Sequence, residues 1–336
     1  MQFAFPTLKR GASKLCAYGA LAETWLMQPS IRAESREPRV ENREPRAADS
    51  REPRTENWEL KAELLLCGAL ARMVLLCGKS MRHGATAHGS KSVTQLFDYE
   101  SIAKMIDHSL LNPTLTDREL EEGCELALRY NVASICIVPY YLARGAQLLK
   151  GSTVRATSTI GFPHGCHTTA IKLGEVAQGL KDGGEELDAV VNISKVRSRD
   201  WQYVSDELNA LAEATHDGGG KIKVIFENAY LDDAAKIRLC EICAEVGADW
   251  VKTSTGYAPG GATLADLELM RRYSPPQVEV KAAGGVHDLD MVLAMRAIGV
   301  SRVGTRSTAA ILEECRKRLG LEPIAHVPST TVAGGY

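Results

Sequence analysis

Residues 248–256 read Ala-Asp-Trp-Val-Lys-Thr-Ser-Thr-Gly, a short apolar run that ends in a lysine and opens into small residues. A second stretch of the same design, Gln-Val-Glu-Val-Lys-Ala-Ala-Gly-Gly, occupies residues 277–285. Each pattern predicts a buried β-strand that ends at Lys252 or Lys281 and leads into a loop. For one such lysine alone, a solvated side chain at a strand end explains the pattern equally well. Two of them, about one β/α repeat apart, predict ammonium groups that meet at one site.

Two neighbouring lysines are suited to nucleophilic chemistry. Repulsion between like charges disfavours the protonated form, so the pKa of one of the two amines falls toward neutrality. A neutral amine can attack a carbonyl carbon and form a Schiff base. The lysine pair therefore indicates a site for covalent catalysis on a carbonyl compound.

Short β-branched runs alternate with helical patterns from about residue 99 to residue 319. A capping box at Thr116 and Glu119 marks the start of one helix. Eight such repeats predict an α/β protein with a (β/α)8 TIM barrel, and a doubly wound open sheet is the alternative. The strands are predicted near 103–107, 132–138, 153–159, 187–193, 221–226, 248–252, 277–281 and 301–304, and the helices at 117–130, 168–183, 200–215, 232–246, 263–273, 288–298 and 307–319.

The carboxyl ends of the strands carry the reacting groups in a barrel of this kind. Asp107 is predicted to end the first strand, Asp188 to lie in the fourth, and Glu227 to end the fifth. Together with Lys252 and Lys281, these acids surround one predicted site.

A phosphate site is predicted after the last strands. Gly304 ends the eighth strand, and Thr305-Arg306-Ser307 leads into a helix whose first N–H groups suit an anion. Backbone donors from neighbouring loops are expected at Gly256, Gly284 and Gly285. A phosphate, two lysines and a buried acid point to Schiff-base chemistry on a phosphorylated carbonyl compound.

No metal or cofactor is expected. The loop histidines lack paired spacing, and no GxGxxG follows the first strand, which argues against a dinucleotide. Cys136 lies within the second strand in an apolar setting, which favours core packing. The CxxC of Cys240 and Cys243 falls in a helical run and is also interpreted as packing. The histidines in question are His108, His164, His167 and His287.

The chain has 336 residues and a formal net charge of −2, which gives no electrostatic reason to bind nucleic acid or an anionic membrane. Its nine cysteines are odd in number and scattered, which indicates reduced thiols in a cytoplasmic setting. The expected partners are a small phosphosugar and a second copy of the chain, in a homo-oligomer expected to be a dimer.

The N-terminal region differs from the rest. Arg-Glu-Pro-Arg occurs three times within residues 32–58, which contain seven basic and seven acidic residues and almost nothing apolar. This composition predicts a disordered extension over residues 1–95, with a possible short helix at 60–77 that is too short and too charged for a membrane span. The barrel is expected at 96–322 and a flexible tail at 323–336.

An ordered series of motifs from about Tyr99 to Leu319 resembles the deoxyribose-phosphate aldolase family, which are class I aldolases with a (β/α)8 barrel. The motifs are Ile-Asp-His-Ser-Leu-Leu (106–111), Ala-Ser-Ile-Cys-Ile-Val-Pro (133–139), Gly-Phe-Pro-His-Gly (161–165), Leu-Asp-Ala-Val-Val-Asn (187–192), Val-Lys-Thr-Ser-Thr-Gly (251–256) and Val-Lys-Ala-Ala-Gly-Gly-Val (280–286).

This resemblance implies a role for each residue of the site. Lys252 is implied to be the Schiff-base lysine, Lys281 its pKa-lowering neighbour and proton relay, and Asp188 the acid and base that acts through a water. The C-terminal Tyr336 matches a tyrosine that moves a proton at the enamine carbon in some members. Substrate or phosphate contacts are expected at Asp107, Cys136, Thr253, Gly256, Gly284, Gly285, Val286, Gly304, Thr305, Arg306 and Ser307.

The chain differs from the residues that are usual in the family at three positions. Asn112 stands where lysine is frequent, Arg306 where serine is common, and His287 where some members have arginine. The alternatives are another lysine-dependent barrel enzyme, such as a transaldolase-like or hexose-phosphate aldolase, and a non-catalytic phosphosugar-binding protein. The second lysine with its small-residue loop argues against the former, and the intact set of two lysines and Asp188 against the latter.

Overall fold

The structure, a computed structural model, describes residues 97–324. The extension predicted for residues 1–95, its possible helix at 60–77, and Tyr336 with residues 325–335 of the predicted tail lie outside the described residues. The domain boundaries proposed from the sequence therefore stay predictions.

Eight parallel strands close into a barrel in chain order, and β8 pairs with β1. This closure confirms the (β/α)8 barrel and excludes the open sheet, which would leave two free edges. The strands are β1 Ile106–Leu110, β2 Ser134–Ile137, β3 Arg155–Ile160, β4 Glu186–Val190, β5 Lys221–Ile225, β6 Trp250–Lys252, β7 Glu279–Ala283 and β8 Arg302–Thr305.

The helices lie between the strands, and one short helix precedes β1. They are α1 Tyr99–Ala103, α2 Asp117–Tyr130, α3 Leu142–Leu149, α4 Thr169–Lys181, α5 Ile193–Arg197, α6 Trp201–Asp217, α7 Asp233–Glu245, α8 Leu264–Tyr273, α9 Leu289–Ile298 and α10 Thr308–Arg318. Two 3-10 turns, Pro139–Tyr141 and Asn228–Tyr230, follow β2 and β5.

Side-chain caps decide where many of these helices begin. The predicted capping box is confirmed, because Glu119 accepts from the Thr116 N–H at 2.8 Å while its own N–H donates to Thr116 Oγ1 at 3.3 Å. Such caps satisfy N–H groups that have no partner within the helix. The other capping residues are Asp98, Asn192, Asp200, Asp232, Thr263 and Asp288.

The first strand was placed too early by the sequence pattern. The strand was predicted near 103–107, but residue 103 is the last residue of α1, which Asp98 begins through a capping box with Ser101. The strand therefore runs from Ile106 to Leu110, and Asp107 is its second residue rather than its last. Asp107 thus lies deep in the barrel and not at its mouth.

Two further helices were not predicted. The segment after β2 turns through Pro139–Tyr141 into α3, and the segment after β4 begins α5 at the Asn192 cap. Because Asn192 starts α5, β4 ends at Val190 and not at residue 193 as predicted. Both helices are short, with 8 and 5 residues, so the periodic signal in the sequence is weak.

The strands have two different faces. Their outward side chains form the apolar core against the helices, and glycines at the contact allow close approach. A Cβ atom on the helical glycine would lie only 2.6, 2.2 or 3.1 Å from the strand side chain in the pairs Gly123–Leu110, Gly145–Ile137 and Gly179–Leu187. The inward side chains include buried charges, whereas barrel interiors are usually filled by branched aliphatic residues.

Cys240 and Cys243 are fully buried in α7 among apolar side chains, which confirms their interpretation as packing residues. Neither forms a disulfide. Within residues 97–324, no helix is both long and apolar enough to cross a bilayer.

Candidate active site

Lys252 and Lys281 lie side by side on adjacent strands. They are register partners in the β6–β7 pairing, and both are almost completely buried. Each ammonium nitrogen donates to the same carboxylate oxygen, Asp188 Oδ2, at 2.7 Å. The two lysines predicted from the sequence therefore meet at one acid on β4, inside the barrel.

Asp188 is surrounded by positive charge. Its second oxygen, Oδ1, accepts from Lys223 Nζ at 2.9 Å, so one carboxylate contacts three lysines. Burial alone would raise the pKa of Asp188, but the charges of Lys223, Lys252 and Lys281 outweigh it and hold that pKa well below its usual value. Asp188 is therefore ionised at neutral pH.

The pKa of Lys252 is lowered, mainly because burial removes water from its ammonium group. The carboxylate of Asp188 opposes this shift, and the charge of Lys281 adds to it. Desolvation is thus the larger cause, and the like-charge repulsion expected from the sequence is a smaller one. Both act in the direction that a nucleophilic amine requires.

Lys281 behaves in the opposite way. Its Nζ lies 2.6 Å from Asp107 Oδ2 in addition to its bond with Asp188. Burial would lower its pKa, yet the two carboxylates raise that pKa above the ordinary value for lysine. Lys281 therefore stays protonated, and Asp107 supports it from within the barrel rather than from the mouth.

A second group of charges lies deeper and was not predicted. Lys223 pairs with Glu186 Oε2 at 2.5 Å, and Arg302 Nη2 lies 2.7 Å from the same oxygen. Arg302 also donates through Nε to Asp107 Oδ1 at 2.7 Å. The indole ring of Trp250 lies under both cations, with centroid distances of 5.4 Å to Lys223 and 5.3 Å to Arg302.

Cys136 lies on the interior face of β2. Ser134, two residues earlier, donates to Asp107 at 2.7 Å inside the barrel, and side chains two apart on a strand point the same way. The thiol therefore lies beside the charged groups and not in the outer apolar layer, contrary to the packing interpretation. Burial raises the pKa of the thiol to about 11, which keeps it protonated.

The loops after β6 and β7 approach each other closely at glycines. Gly256, Gly284 and Gly285 have φ values of 91°, 85° and 77°, a backbone region that glycine adopts readily. A Cβ on Gly261 would lie 2.4 Å from the carbonyl oxygen of Gly284, so only glycine fits there. These loops present backbone at the carboxyl ends of the strands, next to the lysine pair.

The start of α10 forms the other wall of the predicted phosphate site. Thr305 Oγ1 donates to Val286 O at 2.7 Å and accepts from Ser307 N at 2.9 Å. Ser307 is the N-cap of α10, yet its side chain makes no capping bond. The first turn thus keeps backbone donors that an anion can use. Arg306 is exposed next to Ser307, and Gly304 is the third residue of β8.

Thr253 and Glu227 shape the loop that follows Lys252. Thr253 Oγ1 donates to Ala283 O and accepts from Ala283 N, both at 3.1 Å. Glu227 accepts from the Thr255 N–H at 3.2 Å, and burial raises the pKa of its carboxyl. Glu227 has a left-handed φ of 59° and lies beyond β5, which ends at Ile225 and not at Glu227 as predicted.

The sequence missed Lys223, Glu186 and Arg302. A signal was available, because strands of a parallel barrel are buried on both faces and a charged residue within one needs a partner. Lys223 in Lys-Ile-Lys-Val-Ile and Glu186 two residues before Asp188 fit that description. Within the described residues, no group of three or more His, Cys, Asp or Glu side chains is arranged to hold a metal ion.

A closed parallel barrel whose interior holds a buried lysine of lowered pKa, beside a protonated lysine and an ionised aspartate, defines the class of lysine-dependent barrel enzymes. A family model described as DeoC/LacD family aldolase matches residues 101–305, more than half of the chain. The chain belongs to this family of aldolases.

Similar proteins agree with that assignment. The chain is 57% identical over 238 residues to a deoxyribose-phosphate aldolase of Rhodopirellula baltica, covering 71% of this chain and 98% of that protein. A solved structure described as "QR15, an Aldolase" is 36% identical, with a TM-score of 0.62, covering 66% of this chain and 99% of the other. Another, described as a unique tetrameric structure of deoxyribose phosphate aldolase from Aeropyrum pernix, is 29% identical, with a TM-score of 0.61, covering 66% and 93%.

Proposed function

We propose that this chain is a deoxyribose-phosphate aldolase. It cleaves 2-deoxy-D-ribose 5-phosphate reversibly into D-glyceraldehyde 3-phosphate and acetaldehyde, a step in the catabolism of deoxyribonucleotides. The observation that carries the proposal is the shared carboxylate, in which Lys252 and Lys281 each donate to Asp188 Oδ2 at 2.7 Å inside the barrel, where all three side chains are buried. The relatives of the same name support the choice of substrate.

The first step needs a neutral amine at Lys252. Burial lowers the pKa of Lys252, so a larger fraction of the amine is unprotonated near pH 7 than for a solvated lysine. The amine attacks C1 of the open-chain aldehyde and forms a carbinolamine. Loss of water then gives an iminium ion, in which Lys252 Nζ is doubly bonded to C1.

The iminium ion accepts the electrons of the bond that breaks. The C3 hydroxyl loses its proton to Asp188 through a water, and the C3–O bond becomes the carbonyl of glyceraldehyde 3-phosphate. The electron pair of the C2–C3 bond moves to C2 and gives an enamine on Lys252. Protonated Lys281, which also bonds Asp188, holds this acid in place and serves in the proton relay.

The enamine is then protonated at C2, and hydrolysis of the resulting iminium ion releases acetaldehyde and the free amine. The water lost in the first step is replaced in the last, so the overall reaction consumes none. Tyr336 is proposed to assist protonation at C2, and it lies outside the described residues. Cys136, with Asp107 beneath it, lines the interior near the reacting carbons.

The phosphate end of the substrate is proposed to bind between the glycine loops and the start of α10. The backbone N–H groups of Gly256 and Gly285 and the side-chain hydroxyl of Ser307 are the donors, and the positive end of the helix dipole favours the anion. Arg306 adds positive charge. Binding at this remote end aligns the C2–C3 bond with the iminium ion, which is how binding energy contributes to the rate.

The wider setting of the enzyme is also proposed. We expect a homodimer in the cytoplasm, with a phosphosugar as the small-molecule partner and no cofactor. A tetramer is described for the solved structure from Aeropyrum pernix, so size-exclusion chromatography with light scattering should distinguish the two states. The barrel is proposed to occupy residues 96–322, between the N-terminal extension and the tail.

Trapping with borohydride tests the mechanism directly. Reduction in the presence of 2-deoxyribose 5-phosphate should leave one covalent adduct, and peptide mass mapping should locate it on Lys252. The matched control is Lys252→Met, which removes the amine and keeps the length of the side chain, and it should give no adduct. An adduct on Lys281, or none on any lysine, would refute the assignment.

A further inference from the structure

Seven ionisable side chains joined by ion pairs fill the barrel interior. Each is at most 6% exposed. Three carboxylates face four cations, so the fully charged cluster has one positive charge in excess. Such a charge is costly in a buried interior unless one group changes its protonation state. The carboxylates are Asp107, Glu186 and Asp188, and the cations are Lys223, Lys252, Lys281 and Arg302.

The contacts decide which cation loses its proton. Arg302 touches both Asp107 and Glu186, and Lys281 touches both Asp107 and Asp188. Lys223 likewise lies between Glu186 and Asp188, at 2.5 and 2.9 Å. Lys252 contacts one carboxylate of this cluster, and it shares that oxygen with Lys281. Lys252 is therefore the cation with the least compensation.

Lys223 is the reason that Lys252 has so little compensation from carboxylates. It occupies Asp188 Oδ1, which leaves Oδ2 for both of the other lysines. Without Lys223, the cluster would hold three cations for three carboxylates, and Asp188 would have one oxygen for each lysine. Nothing in the charge balance would then favour a neutral Lys252.

We propose that Lys223, paired with Glu186, is a positioning residue that makes Lys252 the neutral amine of the site by supplying the excess positive charge of the buried cluster. This inference rests on the proposed Schiff-base role of Lys252. Lys223 itself is fully buried below the lysine pair, between the carboxylates and the ring of Trp250. It acts through Asp188 and needs no contact with the substrate.

Other ionisable groups near Lys223 do not change which of the four buried cations has the fewest carboxylate contacts. Cys136 stays protonated, because burial raises its pKa to about 11. Glu227 lies after β5 with its carboxylate on Thr255, and within residues 97–324 it forms no ion pair with a cation inside 4.0 Å, so it acts on Lys252 only at longer range. Arg155 contacts Glu186 at 2.9 Å, but its side chain is 45% exposed and screened by water. Lys221, on the same strand, is exposed, and its Nζ lies 5.2 Å from the centroid of the Trp250 ring.

Charge-changing variants of similar shape test the proposal. The measurement is the pH dependence of kcat/KM, whose acidic limb reports the pKa of Lys252 in the free enzyme. Lys223→Met removes a positive charge, so the limb should move to higher pH, by about one to two units for charges that bond the same carboxylate. Glu186→Gln removes a negative charge, so the limb should move to lower pH.

The double variant Lys223→Met/Glu186→Gln separates charge from packing. It removes one charge of each sign and restores the excess, so its limb should return toward that of the unchanged enzyme. A purely structural role would make the double variant at least as impaired as either single one. If Lys223→Met does not fold, Glu186→Gln still decides, because its limb must move to lower pH.

Borohydride trapping at pH 10 in each variant distinguishes a failure of the proposed role of Lys223 from a failure of the proposed function. An adduct on Lys252 shows that the Schiff-base chemistry is intact, and the proposal then depends on the position of the limb alone. Limbs that coincide in all four proteins, despite trapping on Lys252, would overturn the role of Lys223. Loss of trapping on Lys252 in the unchanged enzyme would instead overturn the proposed function.

Discussion

Lys252 and Lys281 are register partners on β6 and β7, and both donate to one oxygen of Asp188 at 2.7 Å, yet their pKa values shift in opposite directions. The difference arises from one further contact, the 2.6 Å ion pair between Lys281 and Asp107. A second carboxylate keeps Lys281 protonated, whereas burial dominates at Lys252. Two identical side chains thus acquire opposite pKa shifts from their surroundings.

Lys281→Leu should lower kcat/KM at pH 7 by about 10²–10⁴-fold, since a residue of the proton relay is lost. The residual activity should rise toward alkaline pH, because removing a positive neighbour lets the pKa of Lys252 climb. Steady-state kinetics from pH 6 to 10 would measure both effects. Lys281→Arg keeps the charge and serves as the control, with the limb expected near its original pH. A Leu variant with an unshifted profile would show that Lys281 does not tune Lys252.

Arg306→Ala/Ser307→Ala should raise KM for 2-deoxyribose 5-phosphate far more than for unphosphorylated deoxyribose. Hydrogen bonds to a charged group contribute about 1.5–3 kcal/mol each, which corresponds to roughly 10- to 100-fold per contact. Lys317→Ala, near the far end of α10 with a side chain 81% exposed, removes a positive charge from the same helix and is the control. Equal losses on both sugars would place the phosphate elsewhere.

His108 should make stability depend on pH between about 4 and 6.5. Its ring is buried, Nδ1 lies 2.9 Å from Thr308 Oγ1, and burial lowers its pKa from 6.5 to about 4. Above pH 6.5 the ring is neutral whether the chain is folded or unfolded. As the pH falls, the unfolded chain binds a proton first, so the free energy of unfolding decreases by about 2 kcal/mol between pH 7 and pH 5.

Urea unfolding of the natural chain and of His108→Gln at pH 7 and pH 5 would measure this contribution. The Gln variant has no group that titrates in this range at that position, so its loss between the two pH values should be smaller by that amount. The buried carboxylates Asp107, Glu186 and Asp188, whose pKa values are lowered in the folded chain, are present in both proteins, so their contribution cancels in the comparison. The same loss in both proteins would exclude His108 as the source.

Deletion of residues 1–90 should change turnover and melting temperature little. The prediction follows from composition, because the repeated Arg-Glu-Pro-Arg segment offers almost no apolar surface to a core. Thermal unfolding and kcat/KM of the truncated chain against the full chain would test it. A large drop in melting temperature would mean that residues 60–77 pack on the barrel, and the proposed boundary at 95 would move.

Much of the fold was predictable because its signals are local. The apolar period of a long helix and the caps at its start depend on neighbours in the chain, and α2 was predicted with its true limits, 117–130. The first strand was misplaced and α5 was missed because a segment of 5 residues carries too little periodicity to outweigh its neighbours.

The sequence by itself determined the barrel, the lysine pair and the glycine loops, since each is written in a contiguous pattern. Tertiary structure decided which charges meet. Lys223, Glu186 and Arg302 come from three different strands. Lys223 is 35 residues from Asp188 in the chain, and Arg302 is 116 residues from Glu186, so these pairs meet only when the barrel closes. The pKa of a buried amine depends on desolvation and on charges a few ångströms away, and neither quantity exists until the strands are assembled.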